Sequence, residues 1–144
     1  MSKSSATDRF SMLTIGQSAE RSRTVTEEDI RHFADATGDR NPVHFDELAG
    51  KHSIFGSRVA HGMLSAGFIS AAIATDLPGP GTVYLSQSLR FLHPVRVGDV
   101  IVARVEITAI NVARRRVTLA TTCVNQEGEA VVDGEAVVMV PQED

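Results

Sequence analysis

The segment that decides the fold is Gly62-Met63-Leu64-Ser65-Ala66-Gly67-Phe68-Ile69-Ser70-Ala71-Ala72-Ile73-Ala74-Thr75, which contains no charged residue. Its only polar side chains are three hydroxyls, so it has no broad polar face. It is too short to cross a bilayer, which takes about 20 residues. A helix that is apolar on all sides is surrounded by protein. The segment therefore predicts a buried central helix, which ends before the Pro-Gly repeat of residues 78–81.

The half of the chain that follows this helix has the pattern of a β-sheet. Apolar and polar residues alternate, with many valines, over residues 83–91, 101–109, 117–123 and 130–140. The connections between these runs are short, which is typical of antiparallel neighbours. An antiparallel sheet with a buried helix on one face is an α+β architecture. Because such a sheet leaves edges open, we expect two copies to pair as a homodimer.

Length and composition limit the possible classes of protein. The 144 residues, 42% hydrophobic and 22% charged, predict one globular domain over residues 1–144, with residues 1–13 as a loosely ordered N-terminal segment. The net charge of −4 argues against non-specific binding to nucleic acid. The sequence shows neither a signal-peptide pattern nor a membrane span. The single cysteine, Cys123, excludes an internal disulfide and fits a reducing compartment, so we expect a cytoplasmic protein.

A polar turn precedes the central helix. A capped amphipathic helix is predicted over residues 26–37, and the turn follows it directly. In the turn, Asp39 and His44 lie on either side of Asn41 and its proline, which can bring the two side chains together. A carboxylate beside an imidazole can activate a water molecule. The alternative is that both are ordinary surface groups and that Asn41 only shapes the turn.

A second candidate feature is the dipeptide His61-Gly62 at the start of the central helix. Backbone N–H groups there are unpaired, and a glycine lets a ligand approach the backbone closely. The N–H of Gly62 could therefore stabilise an oxyanion. The alternative is that Gly62 only permits a tight turn into the helix. Ser70 lies two turns further on, where a serine usually hydrogen-bonds within its own helix.

Several other kinds of site are disfavoured by the sequence. The five histidines show no paired spacing of the type that binds metal, so no metal site is expected. The serines lack the context of a nucleophile elbow. No glycine-rich dinucleotide motif or P-loop is present. Residues 114–116, three arginines, are expected in a solvated hairpin turn, with contact to ligand phosphates as the alternative.

Taken together, three stretches resemble the MaoC-like hydratases, and in particular the (R)-specific enoyl-CoA hydratases. The first is Asp39-Arg40-Asn41-Pro42-Val43-His44-Phe45-Asp46, which matches the family's D-x-N-P-x-H-x-D motif at every fixed position. The second is Val59-Ala60-His61-Gly62-Met63. The third combines residues 84–91 with residues 94–99. The resemblance runs from about Ile15 to Val140.

The resemblance implies a hotdog fold, in which an antiparallel sheet wraps a long central helix and two copies join as a homodimer. It also implies reversible addition of water to a trans-2-enoyl-CoA, giving the (R)-3-hydroxyacyl-CoA. By this analogy Asp39 and His44 activate the water, and the Gly62 N–H polarises the thioester carbonyl. Asn41, Ser70 and His61 support the site or bind substrate. No metal or redox cofactor is implied, and coenzyme A is part of the substrate.

Three other functions remain as alternatives to the hydratase. Relatives in the family include dehydratases of 3-hydroxyacyl thioesters on acyl carrier protein, which would then be the partner. A non-catalytic acyl-thioester-binding subunit is another possibility, although its motif would be damaged and here the motif is whole. A thioesterase on the same fold is the third. Hydratases of this kind serve the supply of polyhydroxyalkanoate storage polyesters as well as fatty-acid metabolism.

Overall fold

The computed structural model describes residues 8–142, which form one antiparallel sheet with a helical layer. The helices are α1 (Glu27–Thr37), α2 (Glu47–His52) and α3 (Gly62–Thr75), and the strands are β1 (Ser18–Thr24), β2 (Val83–Phe91), β3 (Val100–Asn111), β4 (Arg116–Val124) and β5 (Ala130–Met139). The strand order is β1-β3-β4-β5-β2, and every neighbouring pair is antiparallel. The α+β prediction is confirmed. Within residues 8–142, no helix is long and apolar enough to span a membrane.

Helix α3 packs against the sheet and forms the centre of the core. Its bounds match the predicted segment, and Ile69, Ala72 and Ile73 are buried. The inward side chains of β3 and β4 alternate as predicted and include Cys123, whose thiol pKa is raised to about 12 by burial. The opposite face of α3, which includes Met63, is exposed in the single chain. The expectation that protein surrounds the helix on all sides is therefore wrong for one copy alone.

Helices α1 and α2 position the turn that carries the candidate residues. At the start of α1, Thr26 and Asp29 form a capping box, and at its end Gly38 adopts the left-handed conformation with φ 84°. Burial opposes ionisation of Asp29, but hydrogen bonds from Thr26 and Arg23 outweigh it and lower the pKa of this carboxyl. The side chain of Asp46 caps α2.

Two features of the sheet differ from the prediction. The polar strand β1 was not predicted, and it pairs with β3 at one edge of the sheet. Strands β2 and β3 were expected to be neighbours, but β2 pairs with β5 at the opposite edge. Their connection, residues 92–99, can reach because eight extended residues span about 28 Å, whereas three strand spacings take only about 14 Å.

The N-terminal segment is more ordered than expected from Asp8 onward. Residues Arg9–Met12 form a 3₁₀ helix in which Phe10 is buried. The guanidinium of Arg115 donates two hydrogen bonds to Asp8 (2.7 and 2.8 Å) and thereby lowers the pKa of that carboxyl. The same arginine lies over the ring of Phe10, so it serves packing rather than phosphate binding. The rest of the expected loose segment, residues 1–7, lies outside the described residues.

Gly134 in β5 gives a test of the fold. A Cβ added there would lie 1.8 Å from the backbone oxygen of Ser88 in β2. We expect Gly134→Ala to destabilise the protein by about 1–3 kcal/mol, because the backbones of the two strands would have to separate. Thermal or urea unfolding measures this, with the exposed neighbour Glu135→Ala as the control. Equal stability of the two variants would contradict the β2–β5 register.

Candidate active site

The loop that carries Asp39 and His44 is fixed by short side-chain-to-backbone hydrogen bonds. Asp39 Oδ1 accepts from the backbone N–H of Asn41 (3.3 Å), and Asn41 Oδ1 accepts from the N–H of Val43 (3.3 Å). These contacts cap a single 3₁₀ turn, Pro42–His44, whose first residue is the proline that ends any longer helix. Asn41 thus has the turn-shaping role that was the simpler of its two interpretations.

His44 is buried, and its ring is held in one tautomer. Its Nδ1 lies 2.7 Å from the carbonyl oxygen of Val59. A carbonyl can only accept, so Nδ1 carries the proton and Nε2 of the neutral ring has a free lone pair. The side chain of Arg58 also holds His44 in place, because Arg58 Nε donates a hydrogen bond to the backbone carbonyl of His44 (2.9 Å). His44 is therefore poised to accept a proton at Nε2.

Arg58 was not singled out from the sequence, although it braces the turn. Its guanidinium pairs with Glu27 of α1 and with Glu47 of α2, at 3.2 Å in the second case. The hydrogen bond to Glu27 is the main cause that raises the pKa of Arg58. A lone arginine in a loop gives no sequence signal for such a role.

Asp39, His44 and His61 converge on one point. Each offers one side-chain atom, and these atoms lie within 4.8 Å of one another. His61 Nε2 lies 4.0 Å from Asp39 Oδ1, and the rings of His61 and His44 stack with centroids 3.8 Å apart. Asp39 is half exposed, whereas the two histidines are buried. The sequence predicted the Asp39–His44 neighbourhood, but nothing in the spacing indicated that His61 would join the two.

The same three side chains are of types that bind metal ions. However, Nδ1 of His44 is committed to Val59, and Nε2 of His61 lies 2.9 Å from the carbonyl of Asp39. The two rings also stack, whereas a metal ion needs lone pairs in the ring planes to converge on it. The arrangement fits a proton-transfer site better than a metal centre. The expectation that no metal is bound stays a prediction.

A cavity of about 420 Å³ opens beside this cluster. Its polar lining comes from Asn41, His44, Ser65, His93 and the backbone of Gly62, and its walls are otherwise apolar. Gly62 is the first residue of α3, where backbone N–H groups have no partner within the helix. The apolar walls suit an acyl chain. Gly62 and His44 line the same cavity. The apolar wall residues are Val43, Phe55, Val59, Ala60, Met63, Phe91, Leu92, Pro94, Val95, Val131 and Val132.

Ser70 is not part of this cavity. It lies eight residues beyond Gly62 on the same helix, which is about 12 Å along the axis. The cavity-lining residues include Ser65 but not Ser70. Among residues 8–142, no side-chain hydrogen bond joins Ser70 to Asp39 or His44, and its expected supporting role stays a prediction.

Gly62 is the position where a small substitution should be most informative. An added Cβ would lie 2.7 Å from the ring of Phe91, which also lines the cavity. We expect Gly62→Ala to lower kcat for an acyl-thioester substrate by about 10²-fold, the size of effect seen when oxyanion stabilisation is lost. The double variant with Phe91→Ala removes the steric clash. Restoration of full activity in that double variant would contradict a role for close approach to the Gly62 N–H.

Comparisons with known proteins identify the family and the fold of this chain. The family model described as "MaoC like domain" matches residues 12–128. An (R)-specific enoyl-CoA hydratase from Rhodospirillum rubrum is 48% identical over 132 residues, which are 92% of this chain and 91% of the relative. The unliganded R-hydratase PhaJ1 from Pseudomonas aeruginosa superposes with a TM-score of 0.87 at 48% identity, covering 93% of this chain and 86% of that one. The (R)-hydratase from A. caviae involved in PHA biosynthesis has a TM-score of 0.87 at 39% identity, with 90% and 98% covered.

Proposed function

The chain belongs to the MaoC-like domain family, and we propose that it is an (R)-specific enoyl-CoA hydratase. The predicted family, hotdog fold and hydro-lyase class are confirmed. The observation that carries the proposal is the shared cavity, which is lined by His44, whose Nδ1 is bonded to Val59, and by Gly62, the first residue of α3. That combination can bind an enoyl thioester and add water to it.

The reaction follows from the geometry of these groups. Asp39 and His44 hold a water molecule, and His44 Nε2 takes a proton from it as its oxygen bonds to C3 of the enoyl group. The electrons of the C2–C3 double bond move toward the thioester carbonyl, where the Gly62 N–H stabilises the enolate oxygen. The Asp39–His44 pair then returns a proton to C2. The sum is addition of one H₂O, and the reverse sequence is dehydration.

No metal or redox cofactor is needed in this scheme, because every step is a proton transfer or a bond change within substrate and water. We therefore propose that the enzyme uses none, and that coenzyme A enters only as part of the substrate. Asn41 supports the scheme by shaping the turn that holds the pair.

The proposed function is tested with crotonyl-CoA, whose near-ultraviolet absorbance falls when the double bond is hydrated. We expect loss of absorbance and an (R)-3-hydroxybutyryl-CoA product. The same assay with the enoyl group on acyl carrier protein separates the carrier-protein dehydratase, which would turn over only that substrate. Release of free CoA thiol would indicate a thioesterase. No reaction of longer enoyl thioesters on either carrier would indicate the non-catalytic subunit.

We also propose that the protein is a homodimer. The exposed face of α3 carries Met63, which is 52% exposed, together with Gly67, Ala71 and Ala74. Edge strand β2 exposes further apolar side chains. Burying this face against a second copy would remove both apolar surfaces from water.

The dimer is tested by sedimentation or light scattering. We expect twice the chain mass of 15.5 kDa for the wild type. The variant Ala71→Glu places a charge on the exposed face of α3 and should shift the protein toward the monomer. A monomeric wild-type protein at micromolar concentration would contradict the proposal.

A further inference from the structure

His61 makes contacts that neither catalytic step uses. It is 2% exposed and precedes Gly62 at the start of α3. Its Nε2 lies 2.9 Å from the backbone oxygen of Asp39, and its ring stacks on that of His44 at 3.8 Å. The ring of Phe33 lies near it as well, with centroids 4.6 Å apart. The side chain of His61 thus contacts both Asp39 and His44, and His61 directly precedes Gly62, whose N–H is the proposed oxyanion donor.

The surroundings of His61 keep its ring neutral. Because the carbonyl of Asp39 can only accept, Nε2 carries the proton. Nδ1 is buried without a hydrogen-bond partner among the described residues, so a proton there would be a buried, unpaired donor. Burial, and then His44, lower the pKa of His61 and outweigh the carbonyl and carboxylate of Asp39, which raise it. The positive end of α3 also disfavours an imidazolium. The titratable groups that face the ring are Asp39 and His44, and Phe33 and Phe45 add only uncharged rings.

We propose that His61 is a positioning residue that stays neutral and aligns the three parts of the reaction centre. Its Nε2–H fixes the main chain of Asp39, its ring is the platform for the imidazole of His44, and its own backbone sets the place of the Gly62 N–H. This inference rests on the proposed hydratase function for its kinetic consequences, but not for the state of the ring. A misplacement of about 1 Å at a reacting group can cost 10²-fold in rate.

Two substitutions separate the contacts of His61. His61→Phe keeps a ring against His44 and removes the donor to Asp39, whereas His61→Gln keeps a donor near the Nε2 position and removes the ring. We expect kcat for crotonyl-CoA to fall about 10²-fold in the Phe variant and about 10-fold in the Gln variant. KM should stay within about threefold, because the cavity walls are unchanged. The exposed His32→Gln is the control and should keep the wild-type kcat.

A second measurement examines the ring directly in the wild-type protein. Long-range ¹H–¹⁵N spectra of the histidines should show His61 predominantly as the neutral Nε2–H tautomer throughout about pH 6.5 to 8. A predominant imidazolium signal or an Nδ1–H tautomer in that range would overturn the inference, as would a folded His61→Phe variant with wild-type kcat. If the wild type hydrates no enoyl thioester, the proposed function fails, and the spectra still decide the assignment for His61.

Discussion

Replacing His44 with asparagine is expected to lower kcat for hydration of crotonyl-CoA by about 10⁴-fold, the upper part of the range for loss of a general acid–base group. The substitution is chosen to keep the fold. An asparagine amide can occupy the place of Nδ1 and still donate to the carbonyl of Val59, which in the wild type accepts at 2.7 Å. What is lost is Nε2, the atom that we propose takes the proton from water. KM should change little, because most of the cavity wall is apolar and unaltered.

The control for this experiment is His32→Asn on the exposed face of α1, which should behave as wild type. Thermal unfolding of both variants establishes that the fold survives. Turnover within tenfold of wild type in a folded His44→Asn variant would mean that another group accepts the proton.

The Asp39→Asn variant tests the other member of the pair. Its Oδ1 can still accept from the N–H of Asn41, so the turn should hold, but the negative charge beside the two imidazoles is removed. We expect kcat to fall by about 10³-fold, because the carboxylate orients the water and stabilises the imidazolium that forms on His44.

The matched control is Asp35→Asn, an exposed carboxyl that pairs with Arg40 at 2.7 Å. Because exposed ion pairs contribute little, its loss should leave both activity and stability close to wild type. If Asp39→Asn and Asp35→Asn have the same kcat, Asp39 is a surface group and the paired mechanism is wrong.

The sequence predicted the elements that have a strong local signal. Helix α3 was predicted within its observed bounds because it has no charges and ends at a Pro-Gly repeat. Helix α1 was predicted from its caps. Strand β1 was missed because its side chains are polar and mostly exposed, and its place depends on backbone pairing with β3. No local pattern marks such an edge strand.

The order of the strands in the sheet could not be predicted from local sequence patterns. A short connection between β2 and β3 predicted neighbours, yet β2 closes the far edge beside β5. The pairing of β5 with β2 depends on side-chain packing and on the close approach of the Gly134 backbone to that of Ser88. Both features depend on residues far apart in sequence.

The candidate site was predicted in part. Asp39 and His44 lie close together, as the proline turn predicted, and His44 shares its cavity with Gly62 at the start of α3. The stack of His61 on His44 was not foreseen, because seventeen positions separate the two residues and only the packing of α3 against the turn brings them together.

The measurement that tests the central claim most directly is dehydration of the two enantiomers of 3-hydroxybutyryl-CoA, each supplied separately. Appearance of enoyl absorbance follows the reaction without chiral analysis of a product. If water is held at Asp39 and His44 and the carbonyl at Gly62, as proposed, the site admits only one face of C3. We predict that the (R)-enantiomer is dehydrated and that the (S)-enantiomer is not. Equal dehydration of both enantiomers, or reaction of the (S)-enantiomer alone, would contradict the account.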